Sequence, residues 1–262
     1  GNTGTSVSTP YYKVLAINKD ITFKPRIFAN QNLLIQNEFR QVEKNLNHIM
    51  DFGVFTSELS NENEPTKSHF FSNTLIKFEN KFFETSNLEI NFEQVSNDTY
   101  LKKFKPSSEL IKNENLMHSF LKFNAYEDLS SLSLSLESYE DLSKTSNDRY
   151  EFIYPNLEYT KEFFNEKIPG SFDLSSSLYQ KHYETNKYKQ NLTTDLTYSS
   201  DVRIFDKGLV EDFKILLKNP NTILKTGSSN ESNTQSKLLT KVMYSLSYPL
   251  KKEGLLYNSF LK

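Results

Sequence analysis

Ser131-Leu132-Ser133-Leu134-Ser135-Leu136-Glu137-Ser138 alternates polar and apolar side chains with a period of two. On a β-strand that period gives one greasy face and one wet face, whereas on a helix it spreads the leucines around the axis. The pattern recurs from about Asp20 to about Tyr248, in blocks separated by Asn- and Ser-rich turns. Each block is roughly ten residues long, the length at which a tilted strand crosses a bilayer. The expectation is an all-β fold, an antiparallel up-and-down meander forming a fragment of a large transmembrane β-barrel.

Composition agrees. Only 36% of residues are apolar while 14% are aromatic, with 21 Phe and 15 Tyr among 262 residues. A polar chain this rich in aromatics suits a wall with lipid on one face, water on the other and aromatic girdles at its rims. An AT-rich genome would also favour Phe, Tyr, Asn, Lys and Ile, but would not produce the alternation. The net charge of -2 implies no nucleic-acid partner. The absence of cysteine excludes disulfides, thiolate metal sites and Cys nucleophiles within this stretch. No apolar run reaches the length of a membrane helix, so insertion would be by strands. The chain opens Gly1-Asn2-Thr3 and stops at Phe260-Leu261-Lys262 inside another apolar-looking segment, and both ends read as cuts in a longer polypeptide.

Working outward from the opening stretch, candidate strands lie near Pro10–Leu15, Asp20–Phe28, Leu33–Val42, His48–Thr56, Ser68–Phe78, Leu88–Val95 and Leu116–Ala125. Others follow near Leu129–Tyr139, Tyr150–Tyr159, Phe172–Gln180, Leu192–Ser200, Asp212–Lys218 and Leu238–Tyr248. Turns are expected at Ala29-Asn30-Gln31-Asn32 and Glu43-Lys44-Asn45-Leu46-Asn47. Long loops are expected at Ser57–Thr66, Asn97–Asn115 and Asn219–Ser236, with long loops outside and short turns in the periplasm. Asn37 interrupts the row of Leu33, Ile35 and Phe39, and Thr194 and Asp195 interrupt a later strand on both faces. Either the register shifts at a bulge or these positions lie above the hydrocarbon.

Candidate functional residues are few. Gln36, Glu38 and Arg40 form a polar row assigned to the lumen, where it would either touch cargo or a plug, or stand as a solvated face with cross-strand charge pairs. Phe70, Phe71, Phe82 and Phe83 are candidate girdle aromatics. Pro10 and Pro25 lack the N–H that a sheet ladder needs, and on their own they read as a strand start and a bulge. His48, His69, His118 and His182 have no metal-ligand spacing, and Ser68-His69 would point to opposite faces of a strand, a poor nucleophile–base pair. No catalytic constellation, Gly-rich phosphate loop, cofactor site or metal site can be assembled, so no enzymatic role is expected.

Three segments resemble a known family. Pro10-Tyr11-Tyr12-Lys13-Val14-Leu15-Ala16-Ile17-Asn18-Lys19-Asp20, Thr22-Phe23-Lys24-Pro25-Arg26 and Leu33-Leu34-Ile35-Gln36-Asn37-Glu38-Phe39-Arg40 resemble the start of the barrel in the LPS-assembly protein LptD (OstA/Imp) family. Val95-Ser96-Asn97-Asp98-Thr99-Tyr100-Leu101 is similar to a Ser-Asp-x-x-Tyr-Leu segment of that family, with Asn97 where Asp is usual. The resemblance implies that residues 1–262 are the first half of the barrel, without the periplasmic jellyroll that precedes it or the closing strands. It implies an outer-membrane translocon of a Gram-negative bacterium that inserts lipopolysaccharide into the outer leaflet. An LptE-like lipoprotein would plug it and an LptA-like bridge would feed it. It also implies that Pro10 and Pro25 weaken the seam as a lateral gate, and that the family's disulfides involve residues outside this stretch. On the residues alone, a porin-like or receptor barrel and a soluble β-rich adhesion or binding module remain open.

Overall fold

The computed structural model describes residues 4–29, 32–57, 65–79, 81–184, 186–225, 232–248, 250–253 and 258–261. It is an antiparallel meander built almost wholly of strands. The first half comprises β1 (Ser6–Ser8), β2 (Tyr11–Ala16), β3 (Lys19–Phe28), β4 (Leu33–Glu43), β5 (Leu46–Thr56), β6 (Lys67–Phe78) and β7 (Thr85–Val95). A helical turn, α1 (Tyr100–Phe104), precedes β8 (Leu116–Glu127), β9 (Ser130–Asp141), β10 (Tyr150–Asn165), β11 (Ile168–Tyr183) and β12 (Lys187–Ser199). The chain continues through β13 (Arg203–Ile204), β14 (Val210–Lys225), β15 (Ser232–Ser236) and β16 (Leu239–Ser247). A separate hairpin joins β17 (Leu250–Glu253) and β18 (Asn258–Leu261). From β3 to β12 each strand pairs with the next, and β14 follows β12, so the sheet is a single open wall among the described residues.

Register makes the two faces explicit. Leu88, Phe123, Leu134, Leu157, Leu178 and Leu192 are direct partners across six consecutive strands. One residue away, on the other face, stand Asn87, Asn124, Ser133, Glu158, Ser177 and Thr193. The leucines of the opening stretch thus sit mid-way along a continuous apolar row, and Phe52, Phe70, Leu136 and Leu217 on the same face are more than a third exposed. Aromatics border this face at both ends. Phe163, Phe172, Tyr198 and Phe213 stack in succession with centroids 5.3, 4.9 and 5.6 Å apart. At the opposite end Phe152, Tyr154, His182 and Tyr188 do the same at 6.0, 5.4 and 4.9 Å. Phe172 to His182 on β11, and Tyr188 to Tyr198 on β12, are roughly ten residues apart, or about 33 Å along a strand. Projected at barrel tilt this is about 25 Å, the height of an outer-membrane apolar band.

Several expectations need correction. Asn219–Ser236 is a hairpin rather than a loop: β14 runs on to Lys225 and β15 returns along it in register, while residues 226–231 lie outside the described set. The turn after β4 is Lys44-Asn45 alone, because Leu46 and Asn47 already pair with Glu43 and Val42. Phe71 is no girdle residue. Adjacent strand residues face opposite ways, so Phe70 is exposed on the apolar face while Phe71 is buried on the other. Phe82 lies in the connection between β6 and β7, and Phe83 follows it there. The register is continuous through Thr194 and Asp195, which needs no bulge; Asp195 faces the polar side and pairs with Lys218 at 3.1 Å. Asn30 and Gln31 of one expected turn, and residues 58–64 of an expected loop, lie outside the described residues.

The longer connections 96–115 and 142–149 gather at the end where β1 begins. Ile17-Asn18, Lys44-Asn45, Asp128-Leu129 and Glu166-Lys167 close the other end tightly, whereas the chain between β6 and β7 and between β12 and β14 is longer there. The hydrophobic core is equally local. Phe28, Leu34, Phe55 and Phe71 pack against Tyr100, Leu101, Phe104 and Leu110 of the 96–115 connection.

Candidate functional site

Two features meet beside the first strands: a proline-interrupted ladder and an internal plug. β1 and β2 hold the same register on β3, so Thr9 falls opposite Pro25 and Pro10 opposite Lys24. They are one edge strand broken at Thr9-Pro10. Paired residues of this kind normally exchange two bonds. Here Thr9 N donates to Pro25 O at 3.3 Å, and the Ser8 hydroxyl donates to the same oxygen at 3.1 Å. Pro25 has no N–H to return. On its other side Pro25 pairs in unbroken register with Ile35, so the β3–β4 ladder is intact. Backbone groups alternate in direction along a strand, so the nitrogen of Pro10 faces away from β3, towards the open edge. Both missing donors therefore fall on the first strand's two sides. Pro25 marks no bulge.

The plug is the 96–115 connection, folded onto the polar face of β3–β6. Asn97 starts it: its side-chain oxygen accepts from Thr99 N and Thr99 Oγ1 at 3.1 and 2.8 Å. An Asp there could accept the same bonds. Asp98 takes a two-pronged bond from Arg149 at 2.7 and 3.2 Å. Tyr100 then enters a buried relay with β5 and β6. Its hydroxyl lies 2.9 Å from His69 Nδ1, His69 Nε2 lies 3.1 Å from Asp51 Oδ1, and Gln36 Nε2 donates to Asp51 Oδ2 at 2.8 Å. An imidazole carrying its hydrogen on Nε2 satisfies every partner. Gly53 makes the space: a Cβ there would stand 2.5 Å from His69 Cε1 and 3.1 Å from Tyr100 Oη.

Past the helix, backbone carbonyls anchor the plug. Arg26 Nη1 donates to Phe104 O at 2.6 Å, while Lys24 Nζ and Gln36 Nε2 each donate to Ser107 O at 2.9 Å. Lys105 closes α1 in a left-handed conformation, φ 43°.

The predicted row Gln36, Glu38 and Arg40 does share one face, but mostly beneath this plug. Gln36 and Glu38 are buried; Glu38 is ion-paired with Lys24 at 2.7 Å and with Arg40, which stays partly exposed. Asp51, His69, Tyr100 and Gly53 were not singled out from the sequence. The available signal was a glycine inside a strand, which marks close approach of another group. Acid, imidazole and hydroxyl in sequence have the order of a nucleophile relay. Burial, and then the charge of Asp51, push the Tyr100 hydroxyl well above its ordinary value, the reverse of activation. The relay is a latch. Among the described residues no cluster of three or more His, Asp or Glu is placed to hold a metal ion.

The chain matches no protein-family profile. It is similar to LPS-assembly protein LptD of Nitrosospira multiformis, 24% identical over 119 residues, which cover 45% of this chain and 12% of that protein. It is also similar to LPS-assembly protein LptD of Pseudomonas entomophila, 21% identical over 214 residues, covering 80% of this chain and 22% of that protein. The chain thus spans less than a quarter of the length of either relative.

Proposed function

We propose that this chain is part of the wall of an outer-membrane β-barrel that inserts lipopolysaccharide into the outer leaflet, without enzymatic activity, in a Gram-negative bacterium. The similarity to two proteins named for LPS assembly supports the cargo. Apolar and polar faces, with aromatic rows a bilayer apart, support the setting. The observation that carries lateral release is the break at Thr9-Pro10 opposite Pro25. Each absent ladder bond is worth about 0.5–1.5 kcal/mol in ordinary surroundings, and more where lipid offers no replacement partner. The first strand's two sides are then the wall's weakest lines, and Pro10 and Pro25 act as the gate. Gln36, Glu38 and Arg40 face the lumen; Gln36 holds the plug through Ser107 O, and Glu38 holds Lys24, which donates to the same oxygen. An LptE-like lipoprotein would occupy the remaining interior, and an LptA-like bridge would deliver cargo through a preceding periplasmic domain. If such a domain feeds β1, the end bearing the long connections faces the periplasm, the reverse of an assignment by loop length.

Replacing both Pro10 and Pro25 with Ala restores two donors and stiffens the seam. Lipopolysaccharide exposed at the cell surface, measured by labelling intact cells, is expected to fall several-fold. Unchanged labelling with normal amounts of folded protein would sink the gate.

A further inference from the structure

We infer that the cleft beside the proline pair is a binding site for a phosphomonoester, one carried by the glycolipid as it reaches the seam; the assignment to a lipid rests on the function proposed above. The cleft has a volume of about 190 Å³ and is lined by Pro10, Ser8, Lys24, Arg26, Lys105 and Ser107, among others. By volume it holds about six waters, enough for one phosphate and its linking atoms. Three cations border it. Only Lys24 has a carboxylate within reach, Glu38 at 2.7 Å. Arg26 and Lys105 make no ion pair among the described residues, so neither charge is offset by a carboxylate. Arg26 spends one donor on Phe104 O and retains others in a fixed fork, the geometry that suits phosphate oxygens.

Lys105 adds an independent observation. It occupies the left-handed position that ends a helix, where Gly or Asn is usual and a β-carbon costs stability. The chain places an exposed lysine there, at the cleft's edge. The Ser8 hydroxyl on this lining is already committed to Pro25 O at 3.1 Å, and the backbone around it is the strand that the prolines loosen. A dianion here would meet two uncompensated cations at the line where the wall parts.

The test uses the protein at its natural length, purified in detergent, with labelled bisphosphorylated lipid A, its dephosphorylated form and inorganic phosphate as probes. Wild type is expected to bind the bisphosphorylated lipid about tenfold more tightly than the dephosphorylated one. Lys105→Gln should remove most of that preference, while Lys102→Gln, an exposed lysine on the same helical turn outside the cleft, should leave it unchanged. Because Arg26 also anchors the plug, Lys105→Gln is the deciding variant and Arg26→Gln a supporting one. Displacement of the lipid by millimolar inorganic phosphate would assign the cleft to phosphate in any form; resistance to it would assign it to the lipid-borne group. A preference equally lost in Lys102→Gln, or intact in Lys105→Gln, overturns the site. Equal binding of both lipids overturns it while leaving the translocon reading standing. Binding of neither removes both.

Discussion

Gly53 is the residue on which the plug's seating turns. It lies between Gln36 and His69 across the sheet, and an added methyl would meet a ring that is itself fully buried and cannot swing away. Gly53→Ala should cost about 1–3 kcal/mol by overpacking, read as faster proteolysis of the 96–115 segment in detergent. Tyr100→Phe should cost about 1–2 kcal/mol, because it strands a buried ring nitrogen. The two variants differ in alkali. Tyr100 has a raised native value, so its stabilising contribution is complete below its ordinary value of 10.0 and disappears as pH climbs through the raised one. Wild type should therefore release its plug in strong alkali, whereas Tyr100→Phe should lack that step. A protease-sensitivity profile against pH would show it, and an identical alkaline step in the phenylalanine variant would refute the latch.

At the level of elements, prolines and strand breaks go together twice. Lys237 falls opposite Pro220 and donates to its oxygen at 3.1 Å, and the strand facing β14 is split there into β15 and β16 in one register. The cause is the one seen at Pro25: a residue that accepts but cannot donate. Position separates the two, since Pro220 lies eleven ladders along the wall from the first strand. Pro220→Ala should add about 0.5–1.5 kcal/mol of ladder stability and slow amide exchange at the new N–H. Surface lipopolysaccharide should stay at wild-type level. A loss equal to that of the Pro10 and Pro25 variant would mean that general wall stiffness, not a seam, limits release. The strands themselves were legible from alternation, because each needs only its own residues to declare a period of two. Their ends were not: β10, β11 and β14 each extend several residues past the apolar run, sustained by cross-strand pairing that no single segment reveals. The plug was illegible for the same reason. Its anchors, Asp51, His69 and Tyr100, are distant in sequence, and three of the bonds holding it end on backbone carbonyls, which sequence does not distinguish.

For the whole molecule the decisive matter is which face would meet lipid in the proposed barrel, and neighbouring residues on one strand can settle it. Leu192 and Thr193 sit side by side in β12, at the same depth and with the same strands alongside. Leu192 continues the apolar row and is 41% exposed, while Thr193 faces Ser177 and Pro220 on the polar side. In a soluble sandwich the leucine row would be an interior and the threonine row a surface, yet Leu192 is exposed while Thr193 beside it is half-buried. A lysine at Leu192 would place its charge between the two aromatic rows, near mid-membrane, at a cost of about 2–4 kcal/mol. A lysine at Thr193 would extend into water and should change stability by about 0.5 kcal/mol or less. Denaturant titration of the natural-length protein in lipid vesicles, followed by the heat-dependent gel shift of the folded form, would measure both. Charge tolerated at Leu192 but not at Thr193 would turn the wall inside out, moving the seam cleft and the plug to the lipid side, where neither a buried relay nor a phosphate could be sustained.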